Sequence, residues 1–119
     1  MIVEGNASLR AGISLKGGTL AVAGDAGAFS GFMAQAGTIL IGGDAGDGLG
    51  DSLYEAVIYV SGKIAGLGAD AQVEELSQAD VRAVRDLVKV TGFDHIDPEN
   101  VTRVGSARRL YHFTEGGQL

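Results

Sequence analysis

The sequence predicts a mainly β fold: a single-stranded parallel β-helix of about four 19-residue coils, followed by a C-terminal α-helix and an extended tail. Three observations predict it. Glycine recurs every 19 residues, at Gly5, Gly24, Gly43 and Gly62. Just before each of these glycines, apolar residues alternate with the period of a β-strand. The chain has 20 glycines and one proline in 119 residues, which fits many tight corners.

Four strands are predicted from this alternation, and a 19-residue unit is too short for two helices with their turns. The inward-facing pairs are Met1 and Val3, Leu20 and Val22, Ile39 and Ile41, and Ile58 and Val60. The residue between each pair should point to the opposite face. These residues form an outward column of Ile2, Ala21, Leu40 and Tyr59. Either the C-terminal tail or a partner protein would cover this column.

Two columns of glycines are predicted to form the structural corners of the coils. One column, where each strand ends, is Gly5, Gly24, Gly43 and Gly62, and the other is Gly12, Gly31 and Gly50. Turn-forming residues follow the first column at Asn6, Asp25 and Asp44. The glycines are expected to be architectural, with no catalytic, cofactor-binding or metal-binding residue among them. A requirement for positive φ at Gly43 would make Gly43→Val destabilising.

The chain after about Asp70 predicts a different structure, because glycines become rarer and charges more frequent. Residues 75–93 predict a helix with Ser77 as N-cap, Asp80 in a capping-box position and Gly92 at the end. Residues 106–113 predict a closing strand or extended tail. The expected organisation is a β-helix over residues 1–72 and a helical tail over residues 73–119 that packs on it.

Composition excludes several classes of function. A net charge of −6 repels nucleic-acid phosphates and anionic membranes, so neither is an expected partner. The chain has no cysteine, hence no disulfide, thiolate nucleophile or cysteine-held iron–sulfur cluster. It also has no apolar run long enough to span a bilayer and no signal-peptide pattern. A cytoplasmic location is the expectation.

The acidic, glycine-rich stretch GGDAGDGLGD, residues 42–51, raises the question of a ligand site. It lacks both the GxGxxG and the Lys-Ser/Thr fingerprints of phosphate loops. Calcium or a small ligand could bind at acidic corners formed by Asp25, Asp44, Asp47 and Asp51. The neighbouring repeats, however, carry Ala28 and Gly66 where Asp47 stands, which leaves a calcium cage incomplete.

Histidines and arginines give weaker signals. His95 lies among Asp94, Asp97 and Glu99 and could bind a metal, although a solvated turn is the favoured interpretation. His112 alternates with aromatic residues, as in a strand. Arg108 and Arg109 could clamp a carboxylate or phosphate, and pairing with the acidic surface or with a partner is favoured over that role.

The segment from Gly17 to Ile64 resembles the GXGXG domain, the C-terminal domain of the glutamate synthase large subunit. The resemblance rests on glycines at 24, 27 and 31, on glycines at 43, 46 and 50, and on the segments TLAV, TILI and VIYV. It implies a right-handed parallel β-helix with a structural role. The tail is more similar to stand-alone subunits of the N-methylglutamate synthase type. Those subunits work beside a glutaminase-like subunit and an FMN-containing, synthase-like subunit.

The resemblance implies a non-catalytic structural or assembly module of a glutamate-synthase-like amidotransferase/oxidoreductase complex in nitrogen metabolism. The whole complex would transfer the amide nitrogen of glutamine, or an alkylamine, to a 2-oxo acid. FMN and an iron–sulfur cluster would reside on partner chains, with no cofactor in this chain. The alternative is a free-standing β-helix module that binds calcium or a small ligand, and an enzyme with its own site also stays open.

Self-association or a covering partner is expected at the N-terminal end. Met1 already lies in the first predicted strand, so the first coil would expose backbone edges and apolar side chains. Either the chain continues in a longer polypeptide or a partner, such as a second copy, covers that end.

Overall fold

The structure, a computed structural model, describes residues 2–7, 17–31 and 34–107. Its elements are β1 (Ile2–Val3), β2 (Thr19–Val22), β3 (Thr38–Ile41), β4 (Val57–Val60), β5 (Ala71–Glu74), α1 (Gln78–Thr91) and β6 (Thr102–Ser106). The strands form one six-stranded sheet in the order β1-β2-β3-β4-β6-β5. None of the described helical residues forms a helix long and apolar enough to cross a membrane.

The predicted right-handed parallel β-helix is wrong. The described residues form a single mixed sheet with one helix, and they contain no β-helix of stacked coils. Outside the sheet, neighbouring repeats meet at isolated bridges such as Ala7↔Ala26 and Ala26↔Ala45 rather than in further strands. The physical reason is that a repeat length fixes which residues align. It does not fix how many strands each repeat contains.

The alignment of the first four strands does follow the repeat. Strands β1 to β4 are parallel, and each residue pairs with the one 19 positions further along the chain. Ala21 pairs with Leu40, and Leu40 pairs with Tyr59, as the outward column requires. A one-residue slip would exchange the residues on the two faces of each strand and disrupt the packing of both cores. The packing of the two cores therefore holds this register.

Strand β6 completes the sheet in a place that the repeat does not predict. It lies between β4 and β5 and is antiparallel to both, with Val104 paired to Ile58 on one side and to Val73 on the other. The closing strand or extended tail predicted over residues 106–113 stays a prediction, because residues 108–113 lie outside the described part of the chain. The predicted boundary between residues 72 and 73 falls within β5, and the division into two segments stays a prediction.

The sheet has a hydrophobic core on each face. One core contains the inward residues of β2 to β4 together with buried residues of the turns, such as Leu49 and Leu53. The other core joins the outward column to the C-terminal segment through Ala21, Leu40, Tyr59, Val84, Phe93, Ile96 and Val101. The tail therefore covers the outward column at residues 21, 40 and 59. Ile2, in the same column, is 49% exposed.

Helix α1 begins and ends where its capping residues predict. Ser77 is the N-cap, and the capping box is complete: the Asp80 backbone N–H donates to the Ser77 hydroxyl, and the Ser77 N–H donates to the Asp80 carboxylate. Gly92 ends the helix in the left-handed conformation at φ 77°, and its N–H donates to the carbonyl of Val88. The helix predicted over residues 75–93 extends past both ends of α1, and helix ends are the least certain part of such a prediction.

Candidate functional site

A ladder of side chains connects consecutive repeats at the corner after each strand. Asn6 Oδ1 accepts the backbone N–H of Asp25, Asp25 Oδ1 accepts that of Asp44, and Asp44 Oδ1 accepts that of Lys63, each at 2.7 Å. We call Asn6, Asp25 and Asp44 the Asx ladder. Lys63 occupies the next place, and because lysine has no side-chain acceptor, the ladder ends there.

The Asx ladder explains the first column of glycines. A Cβ at Gly24, Gly43 or Gly62 would lie less than 3.0 Å from the Oδ1 atom of the preceding ladder residue, closer than real Cβ contacts allow. None of these three glycines has positive φ, so the corner does not use the left-handed conformation that the Gly43→Val prediction invoked. Gly5 has no ladder residue before it among the described residues, and a Cβ there would meet no described atom within 4 Å.

The second column of glycines is the one in which the backbone adopts the left-handed conformation. Gly31 has φ 74° and Gly50 has φ 70°, values that residues with a Cβ rarely adopt. A Cβ on Gly31 would also lie 2.8 Å from Ile58 Cδ1, in the core. Gly12, the first member of this column, lies outside the described residues. The architectural role of the predicted corner glycines stays a prediction, to which the structure adds a steric reason.

The acidic corners are not gathered into a metal cage in the described residues. Asp25 and Asp44 each accept a backbone N–H within the ladder. Asp47 accepts the Gly48 N–H at 2.9 Å, and Asp51 accepts the hydroxyl of Ser52 at 3.0 Å. Across residues 2–7, 17–31 and 34–107, no three His, Asp or Glu side chains are placed to share a metal ion.

Replacing Asp44 by alanine should destabilise the protein by about 1–2 kcal/mol, because the Lys63 N–H loses a charge-assisted hydrogen bond. Asp44→Asn keeps an oxygen at the same position and should lie within about 0.5 kcal/mol of the wild type. Urea denaturation of both variants measures the difference. Equal destabilisation by asparagine and alanine would assign the effect to the lost charge of Asp44 and contradict a role for the hydrogen bond.

His95 holds the loop after α1 against the sheet. Its Nε2 atom lies 2.8 Å from the carbonyl oxygen of Ala23, so Nε2 donates the hydrogen bond. The ring packs at a tilt against Phe93, with centroids 6.2 Å apart. These contacts attach His95 to the chain after β2 and to Phe93. His112, Arg108 and Arg109 lie outside the described residues.

A partly buried polar cluster joins the helix to the sheet, and the sequence predicted only its capping-box pair, Ser77 and Asp80. Its members are Tyr59 on β4, Glu74 on β5, the N-cap Ser77, Asp80 in the first turn of α1 and Arg103 on β6. The Tyr59 hydroxyl donates to Asp80 Oδ1 at 2.5 Å. Arg103 Nε donates to Glu74 Oε1 at 2.8 Å, and Arg103 Nη1 forms an ion pair with Asp80.

Burial and hydrogen bonding shift the pKa values of this cluster. Burial alone would raise the pKa of Asp80, but hydrogen bonds from Tyr59, Ser77 and Arg103 outweigh it and lower the pKa from 3.8 to about 2. Burial and then the hydrogen bond to Asp80 raise the pKa of Tyr59 to about 12. For Arg103, bonds to Glu74 and Asp80 overcome burial and raise its pKa. The ionised Asp80, the ionised Arg103 and the neutral Tyr59 stabilise one another.

The cluster is arranged for structure rather than for proton transfer. The Asp80 carboxylate accepts hydrogen bonds from the Tyr59 hydroxyl, from Arg103, and from both the N–H and the hydroxyl of Ser77. These bonds use the acceptor capacity of its two oxygens. Its low pKa also makes it a weak base near neutral pH.

Acid should weaken the fold through Asp80. Because its pKa is lowered in the folded state, Asp80 stabilises the protein above its ordinary pKa of 3.8, and that contribution disappears as the pH falls from 3.8 to about 2. The loss should reach roughly 2 kcal/mol. Urea denaturation between pH 5 and pH 2 measures it. Asp80→Asn should show a flatter dependence over that range, and an unchanged slope would contradict this role.

Comparison with known proteins found one informative similarity. The chain is similar to Protein GlxC of Rhizobium meliloti (strain 1021). The two are 42% identical over 65 residues, which cover 55% of this chain and 28% of Protein GlxC. The match thus spans less than a third of that relative's length. No protein-family model and no solved structure matches the chain.

Proposed function

We propose that this chain is a non-catalytic structural and assembly module of a glutamate-synthase-like amidotransferase/oxidoreductase complex. The similarity to Protein GlxC carries the proposal. The resemblance of residues 17–64 to the GXGXG domain supports it, since that domain braces the glutaminase and synthase parts of glutamate synthase. The described polar clusters support it too, because their ionised groups are bonded to one another or to the backbone.

In this proposal the chain supplies a rigid sheet against which other subunits pack. Those subunits are a glutaminase-like chain and an FMN-containing, synthase-like chain, with FMN and an iron–sulfur cluster on the partners. The complex would act in the cytoplasm and transfer the amide nitrogen of glutamine, or an alkylamine, to a 2-oxo acid. The contribution of this chain would be to position the partners. Substitutions in it should therefore impair assembly of the complex and not the catalytic steps of the partner subunits.

Co-purification from the native host tests the proposal. The affinity-tagged chain should bring down a glutaminase-like chain and a flavin-containing chain, identified by mass spectrometry. The Asp44→Asn variant, which is expected to keep the fold, should bring down the same chains. The affinity tag without the chain controls for binding to the tag. Recovery of the wild-type chain alone, at the solution mass of one or two copies, would contradict the proposal.

A further inference from the structure

The carboxylate of Asp47 lies against the backbone nitrogen of the next residue. Asp47 Oδ1 accepts the N–H of Gly48 at 2.9 Å, so the carboxyl carbon, one bond further on, faces the same nitrogen. The side chain is exposed to solvent. A Cβ on Gly66 would collide with Asp47 Oδ1, so the carboxylate fills the space that this glycine leaves. Gly48 and Gly66 together hold the carboxylate in this position.

The two aspartates of the Asx ladder are oriented differently. Asp25 Oδ1 and Asp44 Oδ1 each accept, at 2.7 Å, a backbone N–H that lies 19 residues further along the chain. The residues that follow them are Ala26 and Ala45, whose N–H groups donate to carbonyls of the following repeat. In the ladder, therefore, neither the carboxylate nor the next nitrogen is bonded to the other. Asp47 differs from the ladder aspartates in this orientation and in the glycine that follows it.

The corner requires glycine at position 48. The φ angle of Gly48 is 74°, a value that residues with a Cβ rarely adopt, and a Cβ there would lie 2.6 Å from Phe29 Cδ1. A glycine nitrogen is also the least hindered of backbone nitrogens, because no side chain shields it. The residue that fits the corner therefore leaves the Asp47 carboxyl group open to attack by the nitrogen beside it.

We propose that Asp47 is a site of spontaneous isomerisation to isoaspartate in the folded protein. The Gly48 nitrogen forms a bond to the Asp47 carboxyl carbon, and the N–H proton leaves with the carboxyl hydroxyl group as water, which gives a cyclic succinimide. Water then adds to the ring. Cleavage of the new nitrogen–carbon bond regenerates aspartate, and cleavage of the original peptide bond gives isoaspartate. Water is the one other reactant, and the inference does not depend on the proposed function.

Isomerisation lengthens the main chain by one carbon atom at a packed corner. The Phe29 N–H donates to the Asp47 carbonyl at 2.8 Å, and the two residues that follow Asp47, Gly48 and Leu49, are buried. Leu49 belongs to the core on the inward face of the sheet. Because an isoaspartate at position 47 displaces these groups, the isomerised chain should unfold at a lower temperature than the fresh chain in thermal unfolding.

One protease digest measures isomerisation at several aspartates together. Endoproteinase Asp-N cleaves before aspartate and not before isoaspartate, so missed cleavage in mass spectra reports each of Asp25, Asp44 and Asp47 separately. The chain is incubated for weeks at mildly acidic pH, once folded and once in guanidinium chloride. The following glycine favours position 47 in both states. Folding should raise the rate at Asp47 relative to Asp25 and Asp44 about tenfold further, because of the three carboxyl groups the fold holds that of Asp47 beside its next nitrogen.

Gly66→Ala tests the position of the carboxylate without changing Asp47 or Gly48. The added Cβ would meet the Asp47 carboxylate and no other group within 4 Å, and because that side chain can rotate away, the variant should fold. Thermal unfolding checks this. With the carboxylate displaced, isomerisation at Asp47 in the folded variant should fall about tenfold. In guanidinium chloride, the variant and the wild type should isomerise at the same rate.

Two results would overturn the inference. One is a preference for Asp47 over Asp25 and Asp44 that is equal in the folded and unfolded chains, or smaller in the folded chain. The other is a folded Gly66→Ala variant that isomerises at Asp47 as fast as the wild type. The first comparison uses the unaltered protein, so it decides the question even where Gly66→Ala fails to fold.

Discussion

Gly43→Ala should destabilise the protein by about 2–4 kcal/mol and lower its melting temperature by about 10 °C. The added Cβ would lie less than 3.0 Å from Asp25 Oδ1 and from the backbone of Gly24. Asp25 cannot move aside freely, because its carboxylate accepts the N–H of Asp44 at 2.7 Å. The variant must therefore lose a charge-assisted hydrogen bond or shift the packed backbone.

Gly5→Ala is the matched control for this prediction. Gly5 holds the same place in the first repeat, and a Cβ there would meet no described atom within 4 Å. Its unfolding free energy should stay within about 0.5 kcal/mol of the wild type. Equal effects of the two substitutions, measured by urea and thermal unfolding, would show that backbone flexibility and not the Asx ladder governs this column.

Arg103→Met should cost about 3 kcal/mol, because it leaves two largely buried carboxylates without a cation. Arg103 bonds both Glu74 and Asp80, and the side chains of the three residues are at most 18% exposed. Methionine keeps much of the packing volume of the side chain and removes the charge. The acid dependence of stability should also move to higher pH, since Asp80 loses a partner that lowers its pKa.

Two controls separate the charge from the packing. Arg85 pairs with Glu99 at 3.8 Å on the surface, where the two side chains are 50% and 72% exposed, so Arg85→Met should leave stability unchanged within error. Adding Asp80→Asn to Arg103→Met should recover part of the loss, because it removes one of the unpaired carboxylates. A double variant less stable than either single variant would contradict the account.

The parallel register was predictable because the same chemistry recurs at each repeat. Leu20, Ile39 and Ile58 align both in the sequence and in the sheet, since a one-residue slip in register would move them from one core to the other. The number of strands in a repeat was not predictable. It depends on the chain between strands, where isolated bridges such as Ala45↔Ile64 form in place of full strands. The repeat length alone therefore led to the wrong prediction of a β-helix.

Strand β6 and the partly buried polar cluster depend on contacts between distant residues. The segment TRVGS is short and contains a glycine. The local sequence pattern therefore does not predict that it pairs with both β4 and β5. Asp80 was predicted in a capping-box position, a role fixed by its nearest neighbours. Its bond to Tyr59, 21 residues away, depends on how α1 packs on the sheet.

The corner glycines show how a sequence pattern can point to residues for an incomplete reason. Spacing identified Gly24, Gly43 and Gly62, but their missing Cβ makes room for a ladder oxygen from the preceding repeat. That reason could have been found from the sequence by asking where the side chains of Asn6, Asp25 and Asp44 must point in a parallel register. Positive φ applies instead at Gly31 and Gly50.

The central claim, that this chain assembles a complex without performing its chemistry, is tested most directly by reconstitution. The partner chains recovered by co-purification would be purified, and their mass measured by light scattering with and without this chain. We predict one larger complex when the chain is present and separate partner subunits when it is absent. Partners that reach the same mass without the chain would contradict the claim.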